Sequence, residues 1–133
     1  MLLKIDEYCI RVFSIYGPNH DNKSFYDEID SFLSQDREYP TILGGDWNTT
    51  YSTAPTADNI DIKNMRNPPS LVRSGWLRDL CNKHLLTDPY RALHPSRQDY
   101  TYVPSSNRAN RSRLDFFIIY DELIPRIKTC LIK

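Results

Sequence analysis

The stretch "TILGGDWNTT" at residues 41–50 sets a carboxylate, an indole and a carboxamide side by side, Asp46, Trp47 and Asn48, just past two glycines. Ile42 and Leu43 ahead of them read as the end of a buried strand. In layered α/β folds the loops leaving strand ends carry the reactive groups. A carboxylate placed there can hold Mg²⁺ or take a proton from water. A neutral amide can donate to a phosphoryl oxygen without repelling it. After the Gly44-Gly45 bend, residues two apart are free to project to one side. Gly-Gly-Asp-x-Asn is equally the composition of a plain turn. Tyr16-Gly17-Pro18-Asn19 leaves a second strand end, as a phenol and an amide near a phosphate or as a plain turn. Asp115 interrupts the apolar run "RLDFFII". If buried it needs a histidine, an arginine or backbone donors as partner; on a one-sided strand it faces water.

The elements that must position these groups are readable in part. "YCIRVFSIY" (8–16) is apolar on both alternating faces, as a strand covered on two sides would be. After the turn chemistry of 17–23, Ser24 reads as an N-cap with Asp27 completing an approximate capping box. Phe25, Ile29, Phe32 and Leu33 then share one helical face. A short strand is expected at 41–45. Residues 49–69 have no period, and a stretch this long without one is usually functional or mobile. Ser70 opens a second helix, with Val72, Trp76 and Leu80 on one stripe and Leu77, Cys81 and His84 beside it. An irregular connection at 85–95 leads to strands at 99–103 and 113–120, with a polar loop bearing Arg108 and Arg111 between them. Residues 126–132 offer one more strand. This order predicts a mixed sheet flanked by helices.

The totals set bounds. At 133 residues, 40% of them apolar and 16 of them aromatic, the chain is the size of one domain and can bury a core. Lys+Arg and Asp+Glu are equal at 17 each, so no global field advertises a polyanion partner. Residues 1–84 carry a net −3 and residues 85–133 a net +3, a small asymmetry toward a phosphate-facing side. Cys9, Cys81 and Cys130 are odd in number and widely spaced, which suggests buried free thiols rather than a disulfide framework or a zinc site. No apolar run approaches the ~20 residues of a bilayer span. The expectation is an intracellular protein, nuclear or cytoplasmic, with no membrane partner.

Taken in order, "IYGPN", "LGGDWN", "LTDPYRALHP" with "YTYV", and "SRLDFFI" resemble successive motifs of the endonuclease/exonuclease/phosphatase superfamily. The resemblance is greatest to the apurinic-type endonuclease domain that begins LINE-type retroelement polyproteins. It implies an α/β (α+β) fold, part of a two-sheet α/β sandwich of the DNase I-like type. It also implies Mg²⁺-dependent hydrolysis of phosphodiesters, with Mn²⁺ as a substitute and DNA as the partner. On this resemblance Asp46 orients and deprotonates the attacking water and is the metal-binding acid. Asn48 holds the scissile phosphate, Tyr16 contacts it or helps the leaving oxygen, and Asp115 orients a histidine. Asn19 lines the cleft, and Arg108 and Arg111 sit where relatives contact DNA.

The family pattern also opens with strands bearing an asparagine and a metal-binding glutamate, and closes on Ser-Asp-His. Neither is found in these residues, and His20, His84 and His94 do not stand at the histidine's place. The expectation is therefore a single incomplete domain over 1–133, holding metal weakly and impaired in catalysis, with the remainder of the domain as a further partner. Three readings follow. The chain is a metal-dependent endonuclease, a non-catalytic remnant that binds nucleic acid, or a phosphomonoesterase of the same superfamily.

Overall fold

The strand read at 8–16 is the longest in the fold, and it acquires a partner on each side. The computed structural model describes residues 1–5, 7–35, 38–55 and 58–132. β1 (Leu2–Ile5) pairs antiparallel with β2 (Tyr8–Tyr16), a hairpin the sequence analysis did not foresee. α1 (Lys23–Gln35) crosses over, and β3 (Thr41–Asp46) returns parallel to β2. The chain then forms β4 (Ile62–Lys63), α2 (Leu71–His84), β5 (Leu86–Thr87), α3 (Pro89–Leu93), β6 (Arg111–Ser112) and β7 (Asp115–Tyr120), followed by a 3-10 turn at Asp121–Arg126. Among the described residues the main sheet has the order β1-β2-β3-β7-β5, and β4 pairs with β6 in a separate two-stranded ladder.

One face of the main sheet makes the core. Phe13, Ile15, Leu43, Phe116 and Ile118 alternate toward it, and α1 and α2 cover it with Tyr26, Leu33, Leu77, Leu80 and Cys81. The free thiol of Cys81 is pushed up to about 12 by this burial. Cys9 and Cys130 are free as well but only half-buried, so the expectation of three buried thiols holds for one.

Several boundaries move. α1 starts at Lys23, and the Ser24 hydroxyl donates to Asn22 Oδ1 at 2.7 Å rather than capping. Asp27 pairs with Lys23 at 2.6 Å instead of closing a capping box. Ser70 does cap α2, accepting from the Val72 N–H. The buried stripe of α2 runs through Leu77, Leu80, Cys81 and His84, while Val72 is 50% exposed. Among the described residues of 49–69, Thr49, Thr50, Tyr51, Asn59, Asp61 and Ile62 are buried while Thr53, Pro55, Asp58, Lys63, Asn64, Arg66 and Asn67 are exposed. Side-chain hydrogen bonds replace the missing period there, with Asn59 Nδ2 reaching Thr50 Oγ1 and Asp61 Oδ2 accepting from Ser52 N–H. The strand expected at 99–103 is a single bridge, Tyr102 to Ser112. The strand expected at 126–132 does not form: a 3-10 turn runs to Arg126, and residues 127–132 follow without regular pairing. No helix among the described residues is long and apolar enough to cross a membrane.

Leu77 is fully buried between sheet and helices, whereas Val72 is not. Leu77→Ala should lower the unfolding free energy in urea by about 2–5 kcal/mol. Val72→Ala should change it by less than about 0.5 kcal/mol.

Candidate active site

Three strands end together at one edge of the sheet. Tyr16 is the register partner of Asp46 across the parallel β2–β3 pair, and Asp46 is the partner of Asp115 across the antiparallel β3–β7 pair. Partners in register share a face of the sheet, so Tyr16, Asp46 and Asp115 form one row with strand spacings of about 4.8 Å. The opposite face at this level belongs to the core. Trp47 is fully buried, stacks on Phe116 with centroids 5.7 Å apart, and donates its indole N–H to Phe116 O at 3.1 Å. Gly45, at φ +146°, makes the bend that lets the chain do this, a conformation L side chains rarely adopt.

The acid and the amide are locked to one another. Asn48 N–H donates to Asp46 Oδ1 at 2.9 Å, and Asn48 itself sits at φ 48°, where asparagine is among the best tolerated residues. Its Nδ2 donates to Gly17 O at 2.8 Å, and Gly17 N–H donates to Asp46 O at 2.7 Å. A carboxamide nitrogen has two N–H groups. Gly17 O accepts from one of them, and no second bond from this carboxamide is found among the described residues. Asp46 Oδ1 is engaged by Asn48, and no bond to Oδ2 is found among the described residues. Tyr16 is 81% exposed beside them. Asp115 is exposed too, so the outward-facing reading of this acid is the correct one.

The chain was compared with solved structures. It superposes on the 3'-5' exonuclease NExo from Neisseria meningitidis with TM-score 0.73 and 19% identity, covering 96% of this chain and 54% of that one. For the AP endonuclease LMAP from Leishmania major the values are 0.71 and 16%, covering 93% and 46%. The Neisseria 3' phosphatase NExo bound to a product DNA hairpin gives 0.72 and 16%, covering 93% and 52%. The fold is DNase I-like. The chain spans about half the length of the structures it matches. No family model matches the sequence.

Within this DNase I-like scaffold a buried ionic cluster holds the start of β7. Arg113 is fully buried, with Nε 2.8 Å from Asp61 Oδ1 and Nη2 2.6 Å from Asp88 Oδ2. Arg91 also pairs with Asp61, and Asp88 caps α3 through the N–H groups of Tyr90 and Arg91. Burial alone would raise the Asp61 pKa, but Arg113 and Arg91 more than reverse it and hold it below the usual carboxylate value. Arg113 N–H donates to Asp61 O, Thr101 Oγ1 accepts from the N–H groups of Leu114 and Asp115, and Trp47 N–H donates to Leu114 O. The sequence analysis named none of Asp61, Asp88, Arg113 or Thr101 as candidates. The signal for Asp88, Arg113 and Thr101 was their place inside the motifs "LTDPYRALHP", "SRLDFFI" and "YTYV", with Asp88-Pro89 also the pattern of a helix start; Asp61 had none.

Other expected residues stand apart. Asn19 is exposed, two residues past Gly17, with its Oδ1 3.2 Å from His20 Nδ1. Arg108 and Arg111 belong to the β4–β6 corner, where Arg111 lies directly across from Lys63 and its Nε donates to Arg108 O. Among the described residues neither arginine is bonded to the Tyr16-Asp46-Asn48-Asp115 group. His84 pairs with Asp30 at 2.6 Å and His94 with Cys130 O at 3.0 Å, so neither serves Asp115. A hard divalent cation takes six or more oxygen ligands. Among the described residues no three His, Cys, Asp or Glu side chains are grouped to hold one, so the residues present do not make a metal site by themselves.

Arg113→Met leaves Asp61 and Asp88 buried with one cation fewer. It should cost about 3–5 kcal/mol by denaturant titration. Because the folded Asp61 pKa is depressed, its stabilisation is complete above the unfolded value of about 3.9 and is lost as pH falls through the folded one. Removing Arg113 raises that folded pKa, so acid unfolding followed by circular dichroism should begin at higher pH in the variant.

Proposed function

We propose that the chain carries the water-activating and phosphate-holding part of a site that hydrolyses DNA phosphodiesters. The observation that carries this reading is the lock between Asp46 and Asn48 at the end of the central strand, in a row with Tyr16 and Asp115. One group offers a carboxylate oxygen to water and the other an N–H to phosphate, which divides general-base work from charge stabilisation. The DNase I-like fold supports it, as does the DNA hairpin held by the Neisseria 3' phosphatase. The finer reading is an apurinic-type endonuclease domain of LINE-type retroelement kind, dependent on Mg²⁺ or Mn²⁺. It rests on the motif order of the sequence, and its place of action is the nucleus or cytoplasm.

A second reading has its own observation. Among the described residues, Asp46 and Asp115 are not part of any group of three His, Cys, Asp or Glu side chains, which favours a chain that holds nucleic acid without cutting it. The phosphomonoesterase reading draws on the 3' phosphatase among the similar structures.

Incubation of the purified chain with supercoiled plasmid and Mg²⁺ tests all three. Slow nicking is expected, stopped by EDTA and reduced at least about 10²-fold by Asp46→Ala, the lower bound for losing a general base. Nicking that Asp46→Ala leaves intact would sink the hydrolytic reading. Fluorescence anisotropy showing oligonucleotide binding without nicking would establish the second reading. Phosphate release from a 3'-phosphorylated oligonucleotide, with plasmid untouched, would establish the third.

A further inference from the structure

The turn that leaves β2 is gripped from two directions. From the site side, Asn48 Nδ2 donates to Gly17 O at 2.8 Å. Gly17 lies flush on the neighbouring strand end, where a Cβ would fall 2.3 Å from the Trp47 carbonyl oxygen. From the other side comes Arg73, in the first turn of α2. Its Nη1 donates to Pro18 O at 2.6 Å, and its Nε lies 3.4 Å from Asp21 Oδ1. The Ser70 hydroxyl, at the cap of the same helix, donates to Asp21 Oδ2 at 3.2 Å. Successive carbonyls, 17 and 18, are thus taken by side chains from two separate elements. Arg73 is only 6% exposed, and a buried arginine needs such partners.

We propose that Arg73 is a positioning residue of the candidate site. By fixing Pro18 and Asp21 it holds Gly17 O where Asn48 Nδ2 meets it, and so aims the Asn48 carboxamide. The same grip sets the base of Asn19. A guanidinium suits the task because its planar fork reaches a carbonyl and a carboxylate together, whereas an ammonium is a single point charge. Hydrogen bonds from a charged donor are also roughly twice as strong as neutral ones. Without Arg73 the Pro18-Asn19 peptide loses its side-chain donor and the turn keeps only the Ser70 hydroxyl on Asp21 from that side, so the acceptor of Asn48 is held less firmly. The consequence for hydrolysis rests on the function proposed above; the consequence for Asn48 does not.

Hydrogen exchange and chemical shift of the Asn48 side-chain amide read this directly, in Arg73→Met, Arg73→Lys and Arg78→Met. Arg78 is the control: it lies on the same helix and donates to Tyr51 O at 3.0 Å, away from the turn. Arg73→Met should speed exchange of the Asn48 Nδ2 protons about tenfold, and Arg73→Lys should restore part of the protection. Arg78→Met should lower the unfolding midpoint and leave the Asn48 signals in place. Unmoved Asn48 signals in Arg73→Met, or an equal change in Arg78→Met, overturns the proposal. Should Arg73→Met fail to fold, Arg73→Lys decides: faster Asn48 exchange supports the role, and parent-like exchange overturns it. Plasmid nicking by the same proteins separates the two readings, since a parent chain that does not nick removes the hydrolytic function without altering the Asn48 result.

Discussion

The Trp47 indole lies wholly inside the core, stacked on Phe116 and bonded to its carbonyl, and what flanks it follows from that placement. A residue pinned inward sends the preceding strand residue, Asp46, outward. Asn48, past the strand end at φ 48°, is turned to the same edge, where its carboxamide meets Gly17 O. Phe116 is itself fixed by β7, so the anchor ties the end of β3 to the strand bearing Asp115. Burying an indole stabilises the fold by several kcal/mol. Here that packing also holds two polar groups in register with a third, which is how a rigid core serves a surface site.

The fold was legible where apolar residues gather. β2, β3 and β7 read as apolar runs and the two long helices as stripes of period 3.6, and all are present within a residue or two. The site row was legible through motif order rather than periodicity. What escaped was built from long-range polar contacts. Asp61 lies in a stretch without any period, yet it meets Arg113 fifty-two residues later. No local window of sequence can display such a pair. β1 was missed because its partner strand supplies the pattern it lacks. Val72 was misassigned because a stripe drawn at helical spacing cannot say which end of the helix runs past the edge of the core.

The ionic cluster under β7 has a different character from the apolar core. Two carboxylates and two arginines, Asp61, Asp88, Arg91 and Arg113, balance in charge and lie out of water. Such clusters contribute little net stability compared with apolar packing, but losing one member is severe. Their contribution here is directional. The Arg113 N–H and the Thr101 hydroxyl fix the backbone just ahead of Asp115, so the acid emerges from a segment with no slack.

The β4–β6 corner obeys the opposite electrostatic rule. Lys63 faces Arg111 across a ladder only two residues long, and like charges set opposite each other push the strands apart. Dissolved ions shorten the range of that repulsion. Added salt therefore weakens the exposed ion pairs on α1 while it eases the repulsion at this corner.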